Sequence, residues 1–215
     1  MNSSLVIIGS GGHAKSVANV AKSCGYKVLA FVDDKNAGTN LLNIPIINSN
    51  ETIKKYSDKN FFIAIGNNAT RKLVSKEYKS KLPQANFPSL IHKSSVIGID
   101  CEIDEGTILM AFSHVGPASK IGKFCIINTS SSIDHDCNIR DFTSIAPGVV
   151  TGGNVNVGSQ SALGIGAIIK HGIDIGNNTV VGANSFVNKN IGNSVVAFGT
   201  PSKEVRSLKP NENNL

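Results

Sequence analysis

Residues 131–142 read SSIDHDCNIRDF and set His135 between Asp134 and Asp136. An imidazole titrates near pH 6.5. A carboxylate beside it fixes one tautomer and raises the basicity of the other nitrogen. That pairing suits a general base drawing a proton from an attacking nucleophile. A second cluster lies near the N-terminus, where Gly9-Ser10-Gly11-Gly12-His13-Ala14 is followed by the acidic pair Asp33 and Asp34. A later run, Ile63-Ala64-Ile65, ends in Gly66 and Asn67. Glycines at a helix start let backbone N–H groups approach a phosphate, and the carboxylates accept hydrogen bonds from a base or ribose. The first cluster is equipped for proton transfer and the second for holding a nucleotide.

The element that must position His135 is a repeat. In steps of six from Ile91 the chain reads Ile91, Ile97, Ile103, Leu109, Val115, Ile121 and onward to Val187, and only Thr151 departs from a branched aliphatic. A period of six fits neither a helix nor a flat strand, and it fits a hexapeptide β-helix of short stacked strands. One residue after the aliphatic the chain favours Gly, Asn or Asp, as at Gly98, Gly116, Asp134 and Gly152, which predicts tight turns with positive φ at that column. Four residues after it come small side chains, among them Cys101, Cys125 and Cys137, which are therefore expected to pack inward rather than to bind metal or attack substrate. Asp134 and Cys137 thus have places in the repeat. His135 and Asp136 fall on outward positions that the repeat does not demand.

The first ninety residues lack the repeat. Leu5–Ile8 and Lys27–Val32 read as strands, Lys15–Cys24 as a helix between them, and Ile44–Ile47 and Phe61–Ile65 as further strands. The glycines fit the loose G-x-G-x-x-G/A dinucleotide fingerprint, but the unit ends before a second mononucleotide half forms, so one nucleotide is the better match. The expected fold is α/β + β: a Rossmann-like α/β domain over 1–88, a parallel β-helix over 89–206, and a polar tail over 207–215 expected to fray.

A length of 215 residues accommodates such a pair of domains, and the 21 glycines with only 6% aromatics suit many short turns. The net charge of +6 comes from scattered Lys and Arg, which argues against nucleic-acid binding and suits anionic small molecules. No apolar run reaches the length of a membrane span, the start MNSSLVIIGSGG lacks a signal peptide's basic region and cleavage site, and the four cysteines form no CxxC pair. A cytoplasmic protein is expected. No two histidines stand five residues apart, so no zinc or other metal site is expected.

The motifs IIGSGGH (7–13), VDD (32–34), IAIGNN (63–68), LIHKSS (90–95), INTSSSIDHD (127–136), IAPGV (145–149) and GTPSK (199–203) together resemble the hexapeptide-repeat sugar O-acyltransferases of the sialic-acid O-acetyltransferase type. Within that family the chain is most similar to the bacterial N-acetyltransferases of nucleotide-linked 4-amino sugars, such as those forming UDP-N-acetylbacillosamine. The resemblance implies that the β-helix is left-handed and that the chain forms a homotrimer with active sites between subunits. It implies acetyl-CoA as co-substrate, no metal, and a role in bacterial surface-glycan synthesis. It makes His135 the base and Asp136 its support. It assigns the nucleotide sugar to Gly9, Ser10, Gly11, Gly12, His13, Asp33, Asp34, Gly66 and Asn67. It assigns acetyl-CoA to Ser144, Gly164, Gly166, Ala183, Pro201 and Lys203, with Arg206 a further phosphate contact. Relatives often carry a second histidine where this chain has Ser144. O-acetylation of sialic acid or a related sugar, and a non-catalytic nucleotide-sugar-binding scaffold, are the competing readings.

Overall fold

The computed structural model describes residues 3–209 and 212. Its first part is a five-stranded sheet of β1 (Ser4–Ile8), β2 (Lys27–Val32), β3 (Asn40–Leu41), β4 (Ile44–Ile47) and β5 (Asn60–Ile63). Helices α1 (Gly12–Ser23), α2 (Ser49–Tyr56) and α3 (Asn68–Lys81) pack with it. The order is β3-β4-β2-β1-β5, parallel throughout except for the β3–β4 pair. Leu5, Val6, Ile7 and Ile8 are all buried, as in a central strand covered on both faces. Helix α1 opens three residues earlier than its spacing predicts. Gly11 is its extended N-cap, so Gly12 and His13 belong to the first turn. Helices α2 and α3 are capped by Asn48 and Asn67, whose side chains accept from the N–H groups of Glu51 and Thr70.

From Leu90 to Val187 the strands are two residues long and recur every six residues. Up to the last coil each pairs in parallel with the strand eighteen residues on: His114 with Ser132, Lys120 with Asn138, Ile126 with Ser144; Val180 instead pairs with Val196, sixteen residues on. Three stacked sheets result, forming the faces of a left-handed β-helical prism. The second residue of each strand points inward, so that Leu109, Val115, Ile121 and Ile127 are buried, and the small column fills the corners with Thr107, Ser119, Cys125 and Cys137.

The first residue of each strand points outward, and it makes the three faces different. One face presents Leu90, Ile108, Ile126, Ser144 and Ala162, all buried; the lower three pack in one core with α1 and β1. We call this the covered face. The next presents Val96, His114, Ser132, Val150, Ile168 and Phe186, of which Val96, Val150 and Ile168 are 60%, 45% and 51% exposed. This is the apolar face. The last, with Glu102, Lys120, Asn138, Asn156 and Asp174, is the charged face.

The turn chemistry differs from the sequence expectation. Positive φ falls three residues after the aliphatic, at Asp100, Phe112, Ser130 and Asp136 among others, and not at the glycine-rich column. The glycines one step after the aliphatic answer a different need. A Cβ on Gly116 would lie 2.6 Å from the backbone of Asp134 and His135 in the coil above. Close stacking of backbone, rather than handedness of the turn, selects glycine there.

A closing antiparallel hairpin, Val195–Gly199 with Ser202–Ser207, ends the prism. Of the expected frayed tail, Ser207 still belongs to this hairpin and Leu208 is buried, its N–H donating to the Ser194 carbonyl at 2.8 Å. Residues 210, 211 and 213–215 lie outside the described residues. No described helix is long and apolar enough to cross a membrane.

Candidate active site

His135 stands on the corner between the apolar and charged faces, in the turn from Ser132–Ile133 to Asn138–Ile139. Its Nδ1 lies 2.7 Å from Asp136 Oδ2, and both side chains are about half exposed. A carboxylate only accepts, so Nδ1 carries the proton and Nε2 presents its lone pair. The hydrogen bond to Asp136 raises the His135 pKa above its ordinary value, and the Asp134 charge adds to the effect. The turn itself is pinned. Asp134 Oδ1 accepts from the His135 N–H at 2.8 Å, the Asp136 N–H donates to Pro117 O at 2.9 Å, and Asn154 N–H donates to His135 O at 2.9 Å. Asp136 adopts φ +56°, which Asp tolerates better than most residues, so the turn does favour an Asp there after all.

A cavity of about 460 Å³ lies on the other edge of the apolar face, at the corner with the covered face. His13 and Gly66 reach it from the N-terminal unit, and Ser144, Gly164, Ile165 and Ala183 from the prism. Residues expected to bind the sugar nucleotide and residues expected to bind acetyl-CoA therefore share one cavity. Neither His135 nor Asp136 lines it. Within one chain His135 and the cavity sit on different corners.

Behind the cavity Arg71, on α3, is 1% exposed. Its Nε donates to Phe124 O at 2.8 Å, Nη1 to Ile65 O and Gly66 O at 2.9 and 2.7 Å, and Nη2 to Asn68 Oδ1 at 2.7 Å, Phe142 O at 3.0 Å and Ser144 Oγ at 3.2 Å. All these acceptors are neutral. Asn68 extends the bridge by donating to Gln160 O and Ser161 O. Together the guanidinium and Asn68 stitch the strand-end loop of the N-terminal unit to three coils of the prism. Burial pushes its pKa down to about 10, so it stays charged at neutral pH. Burial first, and the Arg71 charge second, push His13 down to about 4. His13 is thus a neutral imidazole, and its Nε2 is buried without a hydrogen-bond partner.

The other expected residues divide. Gly9 has φ +111° and a Cβ there would lie 2.9 Å from Ala64 O, so glycine is needed where the ends of β1 and β5 meet. Ser10 Oγ donates to Asp33 Oδ2 at 2.5 Å, and Asn36 Nδ2 joins both at 3.1 Å, which holds the glycine loop against the acidic strand end. Asp34 turns away and accepts from Ser49 N–H and Oγ at the start of α2. Asn67 caps α3. Ser144 lines the cavity, but its hydroxyl donates to Asn68 Oδ1 at 2.7 Å and accepts from Arg71, so it serves the bridge. Gly166 does not line the cavity; a Cβ on it would meet Asn184 Oδ1 at 2.4 Å. Pro201 and Lys203 are exposed on the closing hairpin, whose Thr200 Oγ1 and Gly199 N–H reach Asn184 O and Ser185 Oγ beside Ala183. Arg206 pairs with Glu212. Among the described residues no group of three or more His, Cys, Asp or Glu is placed to hold a metal ion.

Comparison with known proteins adds to this geometry. Residues 4–78 match the family model of the PglD N-terminal domain. GDP-perosamine N-acetyltransferase of Escherichia coli O157:H7 is 31% identical over 175 residues, 78% of each chain. UDP-N-acetylbacillosamine N-acetyltransferase of Bacillus subtilis (strain 168) is 31% identical over 112 residues, 50% of this chain and 51% of that one. Among solved structures, PerB from Caulobacter crescentus, in complex with CoA and GDP-perosamine, superposes with a TM-score of 0.88 at 32% identity, covering 94% of this chain and 97% of that one. The acetyltransferase domain of PglB from Neisseria gonorrhoeae, in complex with acetyl coenzyme A, gives a TM-score of 0.88 at 28% identity, covering 95% and 100%.

Proposed function

The chain belongs to the hexapeptide-repeat N-acetyltransferases of nucleotide-linked amino sugars, and from that premise we propose that it moves acetyl from acetyl-CoA to the 4-amino group of such a sugar. The observation that carries the reading is the His135–Asp136 pair, with Nδ1 committed to the carboxylate and Nε2 left to accept a proton. As the amine nitrogen bonds the thioester carbon, His135 takes its proton. As the C–S bond breaks, the imidazolium returns that proton to the leaving thiolate. No covalent acyl-enzyme is needed.

The sugar nucleotide is assigned to the strand-end loops around Gly9, Asp33 and Gly66. The pantetheine arm is assigned to the cavity by Gly164, Ile165 and Ala183, whose apolar walls fit a slender flexible chain. The adenine end falls to the closing hairpin with Pro201 and Lys203. Because His135 and the cavity occupy opposite edges of the exposed apolar face, packing that face against a second copy brings the corner of one chain to the cavity of the next. This supports a homotrimer with three shared sites. Use of acetyl-CoA supports a cytoplasmic location.

The test is thiol release from acetyl-CoA against UDP-, GDP- and dTDP-linked 4-amino sugars, with sialic acid beside them. Release with an amino sugar, lowered about 10²–10⁴-fold in His135→Ala, is expected. Release with sialic acid alone would make the protein an O-acetyltransferase. Wild-type turnover in the variant would remove His135 as the base.

A further inference from the structure

Two residues one coil above His135 break the pattern of the prism, and the repeat explains neither. Thr151 is the single polar residue in the aliphatic column. Gly153 stands two residues after it, in the column that elsewhere on this corner holds Ile99, Pro117, His135, His171 and Lys189. The fold therefore admits large side chains at this place. The φ of Gly153 lies outside the left-handed region, so its backbone does not call for glycine either. Its neighbour Gly152 is different, since a Cβ there would lie 2.8 Å from the His171 backbone nitrogen.

What Gly153 does face is the imidazole. A Cβ on it would lie 2.4 Å from His135 Cε1, 2.5 Å from Nε2 and 2.9 Å from Nδ1. Alanine would overlap the ring along the edge that carries both nitrogens. The backbone here is fixed on both sides, by Asn154 N–H on His135 O and by Gly172 N–H on Gly153 O, each at 2.9 Å, so the ring is the part that must yield. Thr151 acts on the same segment. Its Oγ1 accepts the Asp134 N–H at 3.2 Å, a bond that the neighbouring Gly116 and Gly152 N–H groups make to a backbone carbonyl.

We propose that Gly153, supported by Thr151, is a positioning residue for the base: its missing side chain is the seat in which the His135 ring lies against the backbone while bonded to Asp136. The proposal rests on the reading of His135 as the base. It adds that the coil above was fitted to that ring.

The experiment compares Gly153→Ala and Thr151→Val with the full-length wild-type protein, reading kcat, KM, thermal midpoint and the NMR titration of His135. Gly153→Ala is expected to lower kcat roughly 10–100-fold, as a displaced catalytic group does, with KM for acetyl-CoA little changed. The His135 titration should move down toward its ordinary midpoint as the Asp136 bond loosens. Thr151→Val restores the aliphatic column. It should leave the thermal midpoint unchanged or raised while lowering kcat several-fold. In a His135→Ala background, adding Gly153→Ala should change nothing further. An additive loss in that background, or wild-type kcat with an unmoved His135 titration in Gly153→Ala, would overturn the proposal. Full activity of His135→Ala would instead overturn the base assignment, while the titration would still judge the seat.

Discussion

The cavity wall and the outer corner of the apolar face each hold a histidine, and they treat it in opposite ways. His13 is enclosed beside a buried guanidinium and is driven to a pKa of about 4. His135 is half exposed beside two carboxylates and is raised above its ordinary value. The same side chain is held as a neutral imidazole in one place and made more basic in the other. Residue type alone therefore does not assign a histidine its work; the charge of its neighbours and its access to water do. The two histidines also lie on different corners of the prism, and only His13 lines the cavity. His135 meets solvent, whereas the cavity wall is built by the N-terminal unit closing on its own prism.

The sharpest way to break this comparison is to put the two halves on different chains. His135→Ala removes the corner, and Ile165→Glu places a carboxylate in the cavity at an exposed position. Each variant alone should be inactive or nearly so. Equal co-expression of the two should recover about a quarter of the wild-type rate across the whole trimer population if each site takes its base from one chain and its cavity from another. No recovery would place both halves of the site in the same chain.

A smaller effect tests the wall. Arg71→Met leaves carbonyls of Phe124, Ile65, Gly66 and Phe142 without their donor, and a loss of about 3–5 kcal/mol is expected. At this chain length that is roughly a 10 °C fall in Tm by calorimetry. A fall of only a degree or two would mean that the bridge does not hold the two units together.

The smallest effect concerns pH. His13 has a folded pKa depressed from 6.5 to about 4, so below pH 6.5 the unfolded chain binds a proton that the folded chain refuses. Stability due to the neutral imidazole is complete above pH 6.5 and is lost as pH falls toward 4, by about 3 kcal/mol in all. His13→Gln should flatten that part of the stability profile in denaturant titrations. An unchanged slope would show that His13 protonates freely and that the contrast with His135 is weaker than drawn.

Much of this was legible from sequence, for reasons that differ by region. The prism announced itself because Ile, Val and Leu recur every six residues from Ile91 to Val187, and His135 stood out because the repeat had no use for it. The glycine column was read as positive φ, although Gly116 answers a close backbone contact; glycine serves both needs, and a single sequence does not separate them. Arg71 is hard to single out in the sequence because most of its partners are backbone carbonyls, which leave no trace in residue type. Asp34 looked like a nucleotide ligand beside Asp33, yet its direction is set by Ser49, fifteen residues on. Gly153 is one more glycine in the sequence, and only the fold sets the ring of His135 against it.

The pairing of strands eighteen residues apart, kept from Leu90 to Val187, turns residue number into a coordinate over that stretch. The remainder after division by eighteen names the face or corner, and the quotient gives the height, at about 4.8 Å per coil. An insertion of six residues would keep every aliphatic inward but rotate all that follows by a third of a turn, carrying the closing hairpin away from the cavity. An insertion of eighteen would leave each face in place and only lengthen the prism. The distance between the cavity and the hairpin above it can therefore change by whole coils, so the length of ligand that spans them is selected in steps rather than continuously.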